Sequence, residues 1–145
     1  MGDSPVNVRR RAPKPVIPTE HASQSAFFTW WTIYAQQHKI LDSLCFAVPN
    51  AARRSYGAAR WMRNEGLKKG VPDVWLAVPS HGFHALIMEF KRHGEKPTPE
   101  QAAMLYELRR LGYNALVVWS AEEAIRAVKA YMGPIGTVNG ELTTR

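Results

Sequence analysis

Two carboxylates and one lysine carry the most chemistry in this chain. Glu89 and Lys91 stand two residues apart in the apolar run Leu86-Ile87-Met88-Glu89-Phe90-Lys91. On a β-strand that spacing sends both side chains out of one face, with Ile87 deeper on the same face and Leu86, Met88 and Phe90 on the other. Asp73 follows the turn-forming Gly70-Val71-Pro72 and opens a second apolar run, Val74-Trp75-Leu76. The break Pro79-Ser80-His81-Gly82 between the runs predicts a hairpin. Antiparallel return then brings Asp73 to the sheet end that bears Glu89 and Lys91. Such a trio suits metal-assisted phosphodiester cleavage. Mg²⁺ takes oxygen ligands and keeps several waters, so Asp73 and Glu89 suffice, with the Phe90 carbonyl as a third oxygen. Lys91 supplies a compact positive charge for the water or the transition state. Glu-X-Lys by itself is an ordinary ion pair on an exposed strand. Here the apolar flanks predict strands covered on both faces, where such a cluster is costly unless it binds something.

The elements that must hold these residues can be read from caps and periodicity. Thr19 is an N-cap for a helix over 20–38, with Glu20 in its first turn and Ala26, Phe27, Trp30, Trp31, Ile33 and Tyr34 as its apolar face. Glu20 and Gln24 lie one turn apart and point the same way. Residues 44–48 read as a strand, stopped by Pro49-Asn50, and 55–65 as a basic helix ended by Gly66. Strands are expected over 73–78 and 83–91. Thr98-Pro99-Glu100-Gln101 is a capping box with proline, opening a helix to about 111 that Gly112 ends. Residues 114–118 form a further strand, and Ser120 caps a last helix to 132. This order predicts an α/β fold built on a mixed four-stranded sheet flanked by helices, in one domain over 19–132. Residues 1–18, rich in Pro and Arg, read as a basic mobile arm, and 133–145 as a loose tail.

With 145 residues the chain has the size of one domain, and its net charge of +7 is unevenly placed. The whole excess lies upstream of Asp73; residues 73–145 are balanced, with 8 basic and 8 acidic side chains. A field this lopsided points to a polyanion, nucleic acid before others. Arg53, Arg54, Arg60, Arg63, Lys68 and Lys69 crowd just ahead of the acidic motif and form the expected DNA-guiding surface, a solvated helix face being the plainer reading. Tyr56 and Trp61 interleave with them, able to stack on a base or to fill the core. The single Cys45 excludes an internal disulfide and a cysteine-based zinc site, and favours a reducing, cytoplasmic setting. The five histidines show no zinc spacing beside it, and His93 reads as a loop residue. No phosphate-cradling Gly-rich loop ends in Lys-Ser/Thr, so no nucleotide cofactor is expected. No run approaches 18 apolar residues, and the start lacks a signal-like apolar stretch, so no membrane association is expected.

Taken together, Gly70-Val71-Pro72-Asp73, Glu89-Phe90-Lys91, Gln101, and the early pair Glu20 and Gln24 resemble the VRR-NUC nucleases of the PD-(D/E)XK superfamily. Gly66 fits the same pattern, and the likeness runs from Glu20 to about Tyr131. It implies the restriction-endonuclease-like αβββαβ core, in agreement with the order above. It further implies that Asp73, Glu89 and the Phe90 carbonyl hold Mg²⁺ or Mn²⁺, that Lys91 is catalytic, and that Glu20 and Gln101 complete the site. Gln101 keeps its other reading as the capping-box residue, and Glu20 as a favourable first-turn acid. Stand-alone members of this length are similar to Holliday-junction resolvases. The expected function is therefore a metal-dependent, structure-selective DNA endonuclease acting on branched DNA as a homodimer and leaving 5′-phosphates. The alternatives are a flap or nicking nuclease, and a non-catalytic DNA-binding protein on a nuclease scaffold.

Overall fold

A computed structural model describes residues 16–49 and 64–133, together with the backbone of 135–138 and 141–144. Helix α1 (Glu20–Gln37) starts where the Thr19 hydroxyl accepts the Ala22 N–H at 3.1 Å. A 3₁₀ turn (Asp42–Leu44) leads into β1 (Cys45–Ala47). Strands β2 (Val74–Leu76) and β3 (Leu86–Phe90) follow, then α2 (Pro99–Arg110), β4 (Asn114–Val118) and α3 (Ala121–Met132). The sheet order is β1-β2-β3-β4, antiparallel for the first two pairs and parallel between β3 and β4, across the crossover helix α2. This is the expected α/β architecture, a mixed four-stranded sheet flanked, among the described residues, by three helices, as in restriction-endonuclease-like folds.

Strand alternation splits the core into two layers. Val74, Leu76, Leu86, Met88, Phe90 and Val118 face α1 and α3, where they meet Phe27, Trp31, Ala124 and Val128. Ile87 and Ala115 face α2, against Leu105 and Leu108. All five β3 residues are buried, because helices cover both faces of that strand. Trp31 is fully buried, and its indole N–H donates to the Asp42 carbonyl at 2.8 Å, pinning the 3₁₀ turn to α1. Burying a side chain of this size contributes roughly 2–3 kcal/mol.

The capping signals hold closely. Thr98 and Gln101 make the reciprocal capping box, and the Ser120 hydroxyl accepts the Glu123 N–H at 3.1 Å. The hairpin turn puts His81 and Gly82 both at positive φ, 49° and 80°, the signature of a tight primed turn.

Several expectations need correction. Ile33 is 52% exposed, and Ala26 also faces out, so the buried stripe of α1 is narrower than its apolar composition implied. Strand β2 ends before residue 78 because the Tyr131 hydroxyl takes the Val78 carbonyl at 2.7 Å, removing it from the ladder. The segment read as a loose tail contains two antiparallel strands, β5 (Ile135–Val138) and β6 (Glu141–Thr144), with Val138 opposite Glu141. Asn139-Gly140 between them is the two-residue hairpin signal that a count of glycines and prolines obscured. Most of the arm, residues 1–15, and most of the basic helix expected over 55–65 lie outside the described residues. No helix among the described residues is long and apolar enough to cross a membrane.

Candidate active site

The Gly70–Asp73 segment enters the sheet against the start of α2. Gly70 has φ +78°, and a Cβ there would meet the Glu100 backbone at 2.8 Å, so a glycine is what this approach admits. Beyond it the Asp73 carbonyl accepts the Val48 N–H at 2.8 Å, and its carboxylate Oδ2 accepts the Phe90 N–H at 2.9 Å. The Lys91 N–H points the opposite way, to the Val118 carbonyl of β4 at 2.9 Å. A strand residue sends its N–H and C=O to the same neighbour, so the Phe90 carbonyl also lies on the Asp73 side.

Glu89 is fully buried at the C-terminal end of β3. Its Oε1 receives the Lys91 ammonium at 2.8 Å and the side-chain amide of Gln101. Its Oε2 is buried with no hydrogen-bond partner. Lys91 reaches onward to Glu20 Oε1 at 3.5 Å, across 71 residues of sequence. The Gln101 side chain does two things at once: its Oε1 accepts the Thr98 N–H at 2.9 Å, and its Nε2 donates to Glu89. The two readings of Gln101 are therefore compatible in geometry.

Burial sets the electrostatics. It pushes the Glu89 carboxyl from an ordinary 4.5 up to about 7, the neighbouring Asp73 charge adding to the rise and Lys91 opposing it. Burial raises Asp73 as well, against the lowering effect of the Phe90 N–H and Lys91. For Lys91, burial works against the charge, but Glu89, Glu20 and Asp73 outweigh it and hold the ammonium above the usual lysine range. The site thus sets an ammonium whose charge is favoured beside two acids whose charge burial disfavours.

This donor set fits a hard divalent cation. Its members are oxygens, Mg²⁺ and Mn²⁺ prefer oxygen, and a buried carboxylate oxygen without a partner is the atom such an ion would satisfy. No group of three His, Cys, Asp or Glu poised for a metal occurs among the described residues. The acids here are a pair, Asp73 and Glu89, with Glu20 held off by Lys91.

A cleft of about 280 Å³ opens beside Asp73, lined also by Glu20, His21, Gln24, Ala47, Val48 and Pro49. Glu20 and Gln24 share that wall, as their spacing requires. His21 was not singled out from the sequence; its position three residues before Gln24 on the first helical turn was the available signal. Lys68 and Lys69 are exposed on the approach to Asp73, whereas Arg53, Arg54, Arg60, Arg63, Tyr56 and Trp61 lie outside the described residues.

No family model and no curated protein matches the sequence. A solved structure described as "VRR_NUC domain protein" does share the fold, with a TM-score of 0.66 and 25% sequence identity. The likeness covers 79% of this chain and 88% of that one.

Proposed function

From a chain that folds as a VRR-NUC domain, and so has the scaffold of a nuclease, we propose a metal-dependent, structure-selective DNA endonuclease that resolves four-way junctions as a homodimer. The observation that carries this reading is Glu89: a fully buried acid with one unpartnered oxygen, beside Asp73 and a lysine. Apolar side chains would fill that space at lower cost, because even a paired buried charge gives up its hydration and here one carboxylate oxygen has no partner.

Asp73, Glu89 and the Phe90 carbonyl are the groups to hold Mg²⁺ or Mn²⁺, with Glu20 at the rim. When bound, the ion supplies a Lewis acid that polarises the phosphodiester and acidifies an attacking water. The chain's own groups do the rest. Lys91 stays protonated, so it acts as a fixed positive charge toward the phosphate and not as a proton acceptor. Gln101 holds one Glu89 oxygen and leaves the other free. Lys68 and Lys69, with Arg53, Arg54, Arg60 and Arg63, are the phosphate-guiding residues, setting register without reading sequence. A homodimer supplies two such sites with the two-fold symmetry of a junction.

The test is a substrate panel. The full-length protein is incubated with a four-way junction, a flap, a Y-fork and a linear duplex, each in Mg²⁺, Mn²⁺ or EDTA. Paired symmetric nicks in the junction, absent in EDTA and in Lys91→Ala, are expected. Cutting confined to flaps or forks would move the assignment to a flap nuclease. Retained binding without cleavage in any metal would leave a DNA-binding protein on a nuclease scaffold. Light scattering checks the dimer.

A further inference from the structure

A second cleft, of about 270 Å³, opens at the β4 side of the same sheet end, lined by His93, Gly94, Glu95, Lys96, Trp119 and Glu123. It is joined to the acidic site through the backbone: Lys91 donates to Val118, the residue before Trp119. β2 and β4 are two strand spacings apart, about 10 Å, so both clefts fall within reach of one DNA strand crossing this sheet end.

Trp119 is 38% exposed, and it is held there rather than left loose. Its indole N–H donates to the Glu95 carbonyl at 3.0 Å, and its backbone N–H donates to Glu123 Oε2 at 2.9 Å. Both polar ends of the residue are satisfied while its ring remains on the cleft wall. A large aromatic anchored at an edge, with surface left in water, forgoes the burial that would otherwise stabilise it. Among the lining residues Lys96 stands against Glu95 and Glu123, a formal charge of −1, so the cleft is poorly suited to a phosphate. A flat, uncharged group with hydrogen-bonding edges suits it better.

We infer that Trp119 is the stacking platform for one unpaired nucleobase next to the cutting site. The inference rests on the nuclease reading and deepens it. A base can reach the ring only after leaving its pair, so the cleft favours DNA with single-stranded character beside the scissile phosphate over continuous duplex.

The test reads binding and not cutting. Anisotropy of the full-length protein in EDTA compares a duplex carrying a single-stranded tail with the same duplex fully paired. Trp119→Ala is expected to weaken the tailed DNA about tenfold and the paired DNA less than about twofold. Trp119→Phe, which keeps an aromatic face, is expected to retain most of the preference, and Trp119→Leu, which keeps only apolar bulk, to lose it. Equal losses on both DNAs, no loss on either, or identical behaviour of Phe and Leu would overturn the inference. The Phe and Leu pair decides if Trp119→Ala does not fold. Tail-selective loss in a protein that cuts nothing would retain the base cleft and discard the nuclease. Metal-dependent cutting with unselective Trp119 variants would do the reverse.

Discussion

Asp73 Oδ2 accepts the Phe90 N–H at 2.9 Å, so a side chain ahead of β2 ties down the last residue of β3. This bond does two jobs. It holds the Asp73 carboxyl in one orientation, and it fixes the peptide plane whose carbonyl is proposed as the third oxygen. An acid that only balanced Lys91 would not need to grip the neighbouring backbone.

Asp73→Asn and Asp73→Ala should therefore separate structure from charge. Asparagine still offers a carbonyl oxygen to Phe90, so its melting temperature should stay near that of the wild type. Cleavage should nevertheless fall at least about a hundredfold with the loss of the anionic oxygen. Alanine should lose cleavage and also about 1–3 kcal/mol of stability, because the Phe90 N–H is left without its acceptor. Urea melts alongside a cleavage assay distinguish the two, and full cutting by Asp73→Asn would remove it from the site.

The Glu89 carboxyl titrates near 7 when folded and near 4.5 when unfolded, because burial disfavours its charge. Between those values the native state holds more protons, so stability must fall as pH rises, and it levels off above the folded value. In EDTA the melting temperature should drop from about pH 5 to about pH 8 more in the wild type than in Glu89→Gln. Mn²⁺ should reverse the drop, stabilising more at the higher pH, since an ion competes with the proton for the same oxygens. Titration calorimetry in two buffers should show proton release on binding near neutral pH. Metal stabilisation that ignores pH would count against Glu89 as a ligand.

Gln101→Glu keeps an oxygen for the Thr98 N–H, so the start of α2 should survive. It turns a donor to Glu89 into a like charge, which should raise the Glu89 pKa further and cut turnover about tenfold or more at neutral pH. The pH profile of cleavage should shift to higher pH. Gln101→Ala should instead lose the bond to the Thr98 N–H and destabilise by about 0.5–1.5 kcal/mol. Unchanged cleavage in both variants would reduce Gln101 to a cap.

Gly70→Ala should be among the costliest single-methyl changes in the chain. It forces an L-residue to φ +78° and drives a Cβ to 2.8 Å from the Glu100 backbone. A loss of about 2 kcal/mol or more is expected in denaturant melts. Gly66→Ala, where φ is also positive but nothing lies within 4 Å, should cost less.

Local signals read well from the chain because they span only a few residues. The Thr19, Thr98 and Ser120 caps, the hairpin turn at His81-Gly82 and the period of β3 each depend on neighbours within about four positions. They are enough for the element order, and hence for a mixed sheet with Asp73, Glu89 and Lys91 at one end. Where two local signals competed, the chain alone was a poorer guide: glycine content at 133–145 hid the pairing of β5 with β6, and the apolar Ala26 and Ile33 widened the apparent face of α1.

What the sequence by itself determined was the order of the elements that form the four-stranded sheet and its three described helices, and the strand face on which Glu89 and Lys91 stand, since both follow from backbone period and caps. Only the tertiary structure decided that Lys91 meets Glu20 across 71 residues, that Gln101 turns one end of its amide to Thr98 and the other to Glu89, and that Glu89 loses all contact with water. Those outcomes depend on how α1 and α2 are rotated and seated on the sheet. That seating is settled by the packing of Phe27, Trp31, Leu105 and Leu108 against strands far away in the chain, which no local pattern encodes.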